Sequence, residues 1–205
     1  MLYIMRHGKT EWNSLHKLQG RTDIPLNEEG RKMALKAREE YSSVNIDICY
    51  CSPLVRAAET AQIVLNGRNI PIITDERLVE MGFGEYEGIE NSFQNPKCPI
   101  NVIFKEPEKY VESVGGAETF AELFTRTNEF LREIVEPQVR EGKDILIVGH
   151  GAMNSSIICQ INNLPISEFW SAGLEQCRLL QLSISKMPLT NQISYDEMRR
   201  ITCGK

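Results

Sequence analysis

One layout constrains this chain more than any other: a short apolar run that stops at a polar residue flanked by glycine and hands over to an amphipathic stretch. "LYIMRHG" (residues 2–8) and "ILIVGHG" (145–151) both follow it. Ile46 to Cys51 and Ile70 to Thr74 are further runs of the same kind. Short apolar runs that alternate with helical-period segments predict an α/β fold, a mainly parallel sheet with helices on both faces in three layers.

The segments between these runs carry helix signals. Asn27 followed by Glu28 and Glu29 reads as an N-cap and an acidic first turn, and the helix is expected to reach about Tyr41 with Ala34, Ala37 and Tyr41 on one face. Ser52-Pro53 reads as an N-cap with proline at the first helical position, ahead of a face made by Leu54, Ala57, Ala58 and Ala61. A long helix is expected from near Glu118, with Phe120, Leu123, Phe124, Thr127, Leu131, Ile134 and Val135 at core spacing. Another helix is expected from about Ala152, and a late strand in "CRLLQLSIS" (177–185). Residues 88–116 hold Pro96, Pro99 and Pro107 and keep no period, so they read as a helical or irregular insertion over one end of the sheet. With no repeat or linker in view, 1–205 is expected to be a single domain.

A net charge of -5 argues against nucleic acid and anionic membranes as partners, because both need a basic surface. No apolar run approaches the ~18 residues of a membrane span, and "MLYIM" is too short for a signal sequence. The six cysteines form no CxxC pair, and several sit in apolar surroundings, which fits reduced thiols in the cytoplasm. Neither His7 nor His150 has a cysteine at ligand spacing, so no metal site is expected.

Histidine is scarce here, at three residues, yet two end apolar strands. Ligands of open α/β sheets bind beyond the carboxyl ends of the strands. Arg6-His7-Gly8, Cys51-Ser52-Pro53 with Arg56 beyond it, and Gly149-His150-Gly151 are expected to meet there. Two imidazoles, two guanidiniums and free helix-start amides suit a tetrahedral dianion such as a phosphoryl group. A neutral imidazole is a good nucleophile toward phosphorus, and arginines can replace a metal ion as the source of positive charge. A carboxylic acid must then protonate the leaving oxygen. On the residues alone Asp75, Glu76, Glu80, Glu85 and Glu87 all remain candidates.

"RHGKTEWN", "LQGRTDIPLNEEG", "CSPLVRAAETA", "RLVEMGFGEYEG" and "IVGHGAMN" occur in an order that resembles the histidine phosphatase superfamily, in its phosphoglycerate-mutase-like branch. The resemblance implies a phosphohistidine on His7, with Arg6, Arg56 and His150 holding the transferred group and Glu80 as general acid and then base. It implies that Asn13, and also Gln19 and Gly20, line the phosphate pocket, that Glu118 braces the site, and that neither metal nor cofactor is needed. Lys9 departs from the acid or glutamine frequent in the family, and Cys51 from a frequent serine.

The leading expectation is a metal-independent phosphatase acting on a small phosphomonoester. A cofactor-dependent phosphoglycerate mutase is the alternative. It is disfavoured because residues 90–112 set Lys97, Lys105 and Lys109 against Glu90, Glu106, Glu108 and Glu112. A non-catalytic phospho-ligand binding module is the reading from another class, and it would normally have lost one of these five residues. His16, in a polar stretch, reads as a surface residue. Phe83, Tyr86, Phe93, Phe104 and Tyr110 read equally as substrate entrance or as core. The sequence leaves the substrate and the oligomeric state open.

Overall fold

A computed structural model describes residues 1–183. Strands β1 (Leu2–Arg6), β2 (Ile48–Cys51), β3 (Ile72–Thr74), β4 (Ile145–Gly149) and β5 (Leu179–Leu182) form one sheet in the order β3-β2-β4-β1-β5. The first four run parallel, and β5 pairs antiparallel to β1. The sheet is α/β and mainly parallel, as expected.

Side chains alternate between the two faces with the period of two that strands impose. Met5, Cys49, Cys51, Leu146 and Val148 pack with α2 (Glu28–Glu40) and α3 (Val55–Leu65). Leu2, Ile4, Tyr50, Ile145 and Ile147 pack on the opposite face, with α5 (Phe120–Phe130) and α7 (Gly151–Asn162). That gives three layers. Among the described residues no helix is long and apolar enough to cross a membrane.

Register sets the site. Arg6 pairs with Gly149, and Cys51 with Val148, so the carboxyl ends of β1, β4 and β2 finish level. The His7 amide continues this ladder by donating to the Gly149 carbonyl at 2.9 Å.

Several boundaries differ from expectation. The run from Ile46 pairs only from Ile48, and the run from Ile70 only from Ile72, where Pro71 has no N–H to donate. Ser52 and Pro53 do not start α3; Leu54 is still extended, and the helix begins at Val55. The Val55 amide is instead capped by Asp23, whose Oδ1 accepts it at 2.8 Å, a partner remote in sequence. The long helix starts at Phe120 with a Thr119–Glu122 capping box, widens into a π-helical turn at Leu131–Val135, and ends in α6 (Glu136–Arg140). The late strand is confined to Leu179–Leu182, and residues 184–185 of that expectation lie outside the described residues. A short helix absent from the sequence reading, α1 (Glu11–Ser14), follows β1 and is capped by Thr10.

Residues 88–116 carry a short α-helix, α4 (Asn101–Lys105), and a 3-10 turn at Pro107–Lys109, and are anchored rather than merely draped. Ile100, Ile103 and Tyr110 are buried with Phe120 and Phe169 in a third apolar cluster at the end of the sheet.

Candidate active site

The turn after β1 is held by close backbone packing. A Cβ at Gly30 would lie 2.0 Å from the Lys9 carbonyl oxygen, and one at Gly8 would lie 2.6 Å from the Gly30 oxygen. The first turn of α2 can therefore press directly on the residues that carry His7. The Gly8 amide donates to Thr60 Oγ1 at 3.0 Å, and that hydroxyl donates to the Arg56 carbonyl at 2.6 Å, which ties the β1 turn to α3.

His7 and His150 lie with ring centroids 5.2 Å apart, and both are buried. His7 Nδ1 lies 2.6 Å from the Gly8 carbonyl oxygen. A carbonyl only accepts, so Nδ1 carries the proton and Nε2 keeps its lone pair. Burial, then Arg56, then Arg6 push the His7 imidazolium well below its ordinary range, against a smaller opposing pull from the Gly8 bond. His150 is held neutral in the same way by burial, Arg56, His7 and Arg6. His150 is the N-cap residue of α7, and neither of its ring nitrogens has a hydrogen-bond partner among the described residues.

Arg56 is fully buried, a position that requires paired donors. Its Nη1 donates to the Thr22 carbonyl at 2.9 Å and its Nη2 to the Gly20 carbonyl at 2.6 Å, while Nε has no partner among the described residues. Arg6 Nη1 donates to the Leu174 carbonyl at 3.2 Å, and its Nε likewise has no partner among the described residues. Buried donors without partners are rare in proteins and recur at sites that receive a ligand.

Glu80 stands at the start of α7. Its Oε1 accepts from the amides of Met81 at 2.9 Å and Met153 at 3.0 Å, and Oε2 from Ala152 at 3.3 Å. A Cβ on Gly151 would fall 3.6 Å from Glu80 Oε2 and 3.8 Å from Arg6 Cζ, so carboxylate and guanidinium flank the same backbone. The other candidate acids lie elsewhere. Asp75 is bonded to Arg77, while Glu76 and Glu85 are exposed.

A cavity of about 720 Å³ opens here, lined by Arg6, His7, Asn13, Gln19, Gly20, Arg56 and Glu80. Asn13 Oδ1 accepts from Gln176 Nε2 at 2.9 Å, and Gln19 Oε1 accepts from Thr10 Oγ1 at 2.9 Å. His16 is exposed, as expected, yet it stands at the cavity mouth with Lys9 and Lys17. The aromatic residues divide: Phe83, Phe93 and Phe104 line the cavity, while Tyr86 and Tyr110 are buried in the core.

The sequence match can now be set beside this geometry. The profile of the histidine phosphatase superfamily, branch 1, matches residues 2–190. The chain belongs to that superfamily. This histidine phosphatase is 30% identical to phosphoserine phosphatase 1 of Hydrogenobacter thermophilus over 85% of its own length and 82% of the relative's. It is also 30% identical to a 2,3-bisphosphoglycerate-dependent phosphoglycerate mutase of Cytophaga hutchinsonii, over 95% and 92% of the two chains. Among solved structures, Bacillus stearothermophilus YhfR superposes with a TM-score of 0.77 at 32% identity, over 89% and 91% of the two chains.

Two supports of the site were not foreseen. Thr60 gave no signal beyond its place in "CSPLVRAAETA". Glu87 was only one of five candidate acids, and the structure gives it a different task. Its Oε1 accepts from the amides of Arg21 at 2.9 Å and Phe83 at 3.0 Å, and its Oε2 from Thr22 N at 2.9 Å and Thr22 Oγ1 at 2.5 Å. Glu87 thus fixes the loop whose Gly20 and Thr22 carbonyls hold Arg56. Gly20 has φ +56, and a Cβ there would strike Glu87 Oε1 at 2.0 Å, so the loop needs its glycine. Glu118 has a similar bracing place: it pairs with Arg126 at 2.7 Å and Arg21 at 3.1 Å and accepts from the Gly82 amide at 3.2 Å.

Proposed function

We propose that this chain hydrolyses a phosphomonoester through a phosphohistidine on His7, without a metal ion. The observation that carries the reading is the pair of buried, neutral imidazoles 5.2 Å apart beside the buried guanidinium of Arg56 and the half-buried one of Arg6. The His7 Nε2 lone pair attacks phosphorus and forms an N–P bond as the P–O ester bond breaks. Glu80, entering as the carboxylic acid, gives its proton to the leaving oxygen. The same carboxylate then takes a proton from water, which attacks the phosphohistidine and releases inorganic phosphate with the ring restored. Arg6, Arg56 and His150 hold the equatorial oxygens throughout, and the guanidiniums supply the positive charge that a metal would otherwise bring. Asn13, Gln19 and Gly20 complete the pocket wall.

Hydrolysis is favoured over mutase chemistry by the charges facing the cavity. A mutase must grip a second phosphoryl group, but Lys9 is paired with Glu29 at 2.8 Å and Lys17 with Glu90 at 3.6 Å. Lys97, Lys105 and Lys109 are not among the cavity-lining residues. The decisive experiment follows an aryl phosphate with excess chelator present. Steady release of phosphate, an acid-labile phosphoenzyme and its disappearance in His7→Ala are expected. Turnover that persists in His7→Ala overturns the assignment, and rapid 2-phosphoglycerate formation from 3-phosphoglycerate plus 2,3-bisphosphoglycerate replaces hydrolysis with mutase chemistry.

A further inference from the structure

The cavity is far larger than a phosphoryl group and falls within the roughly 300–1,000 Å³ range of sites that enclose whole small molecules. Its inner end is accounted for above, so its outer wall must face the rest of the ester. That wall is aromatic. Phe104 and Trp170 stack with centroids 5.3 Å apart and planes 24° apart, and Phe104 also meets Phe83 at 5.8 Å and Phe93 at 6.0 Å. Phe83, Phe93, Phe104 and Trp170 all line the cavity. Trp170 Nε1 donates to the Ile103 carbonyl at 2.8 Å, which uses the indole's only donor and fixes the ring. What the wall offers a ligand is therefore ring face and ring edge, already oriented.

The charges around the mouth point the same way. Lys9 and Lys17 are each engaged by a carboxylate, and Glu175, also in the lining, is itself paired with Arg178 at 3.1 Å. A short, multiply charged acid ester would bring a carboxylate to a mouth whose two lysines are already paired, and it would leave the rings uncovered. A flat uncharged group would cover the rings and ask nothing of the lysines.

We propose that the Phe83–Phe93–Phe104–Trp170 wall is a binding surface for an aromatic ring, and that the substrate is a phosphomonoester with an aromatic organic body. This rests on the phosphatase reading of the same cavity.

The test compares primary alkyl esters, 2-phenylethyl phosphate and ethyl phosphate with closely matched leaving alcohols, and O-phosphoserine with a somewhat better one. The expected kcat/KM for 2-phenylethyl phosphate exceeds the other two by about 10- to 100-fold, as stacking plus burial of one phenyl ring implies. Phe104→Leu and, separately, Trp170→Leu should shrink the phenylethyl-to-ethyl ratio toward one, with the loss in KM. Equal or faster turnover of O-phosphoserine overturns the proposal, as does a ratio that neither variant changes. If no ester is hydrolysed the phosphatase reading fails, and calorimetry then decides the wall separately. Tighter binding of 3-phenylpropylphosphonate than of propylphosphonate supports the aromatic surface, and equal binding removes it.

Discussion

With its Nδ1 proton committed to the Gly8 carbonyl and two guanidiniums close by, the His7 ring keeps Nε2 free where an exposed imidazole would begin to protonate. The same surroundings have a consequence for stability. Both buried rings have folded-state values well below 6.5, whereas in the unfolded chain they titrate near 6.5. Below that pH the unfolded chain binds more protons than the folded one. The stabilisation is therefore complete above 6.5 and is lost as pH falls toward the folded values, at about 1.4 kcal/mol per pH unit for each ring. Denaturant melts between pH 6.5 and 5 should show this slope, and His150→Asn should flatten it by roughly half. An unchanged slope would mean that the rings are not held neutral. At Glu80, removing the proton donor should matter most when the leaving oxygen is basic. Glu80→Gln is expected to slow alkyl esters by about 10²- to 10⁴-fold and nitrophenyl esters much less; equal losses would take the acid's role away from it. Glu87 touches the loop that grips Arg56, so Glu87→Gln should raise KM more than it lowers kcat. In an Arg56→Ala background the same change should have little further effect, a non-additivity that a general loss of stability would not produce.

At the scale of elements, the site depends on backbones that touch. Gly30→Ala would set a methyl against the Lys9 carbonyl at 2.0 Å, so the start of α2 must move away from the turn behind His7. A loss of about 1–3 kcal/mol is expected, visible as a lower Tm, together with reduced kcat. How far such features could be read from sequence depends on their range. The strands and their loaded ends were legible because short apolar runs and the His-Gly endings are local. Arg6, His7, Arg56, Glu80 and His150 lie together around the carboxyl ends of β1, β4 and β2. The start of α3 was misread because Ser52-Pro53 carries a local helix signal, while the actual cap comes from Asp23 across the site. Glu87 and Thr60 were illegible for the same reason: each serves a backbone group far away in the chain, and neither residue type nor spacing records that.

Seen as a whole molecule, the chain separates two tasks in space. The level ends of β1, β4 and β2 supply a charged inner floor, and Phe83, residues 88–116 and Trp170 supply an apolar outer wall. The sheet order adds a constraint of timing. β4 lies between β1 and β2 although it is translated long after both, so those two strands share no neighbour until residues 145–149 arrive. Contacts so distant in sequence are slow to form and leave strand edges bare in the meantime. On the ribosome, His7 and Arg56 would emerge early and wait unassembled, and competence would arrive in a single late step as β4 slots between its older neighbours. Chains arrested before that strand clears the exit tunnel should cleave no aryl phosphate, and the waiting half-sheet is where a chaperone would be needed most.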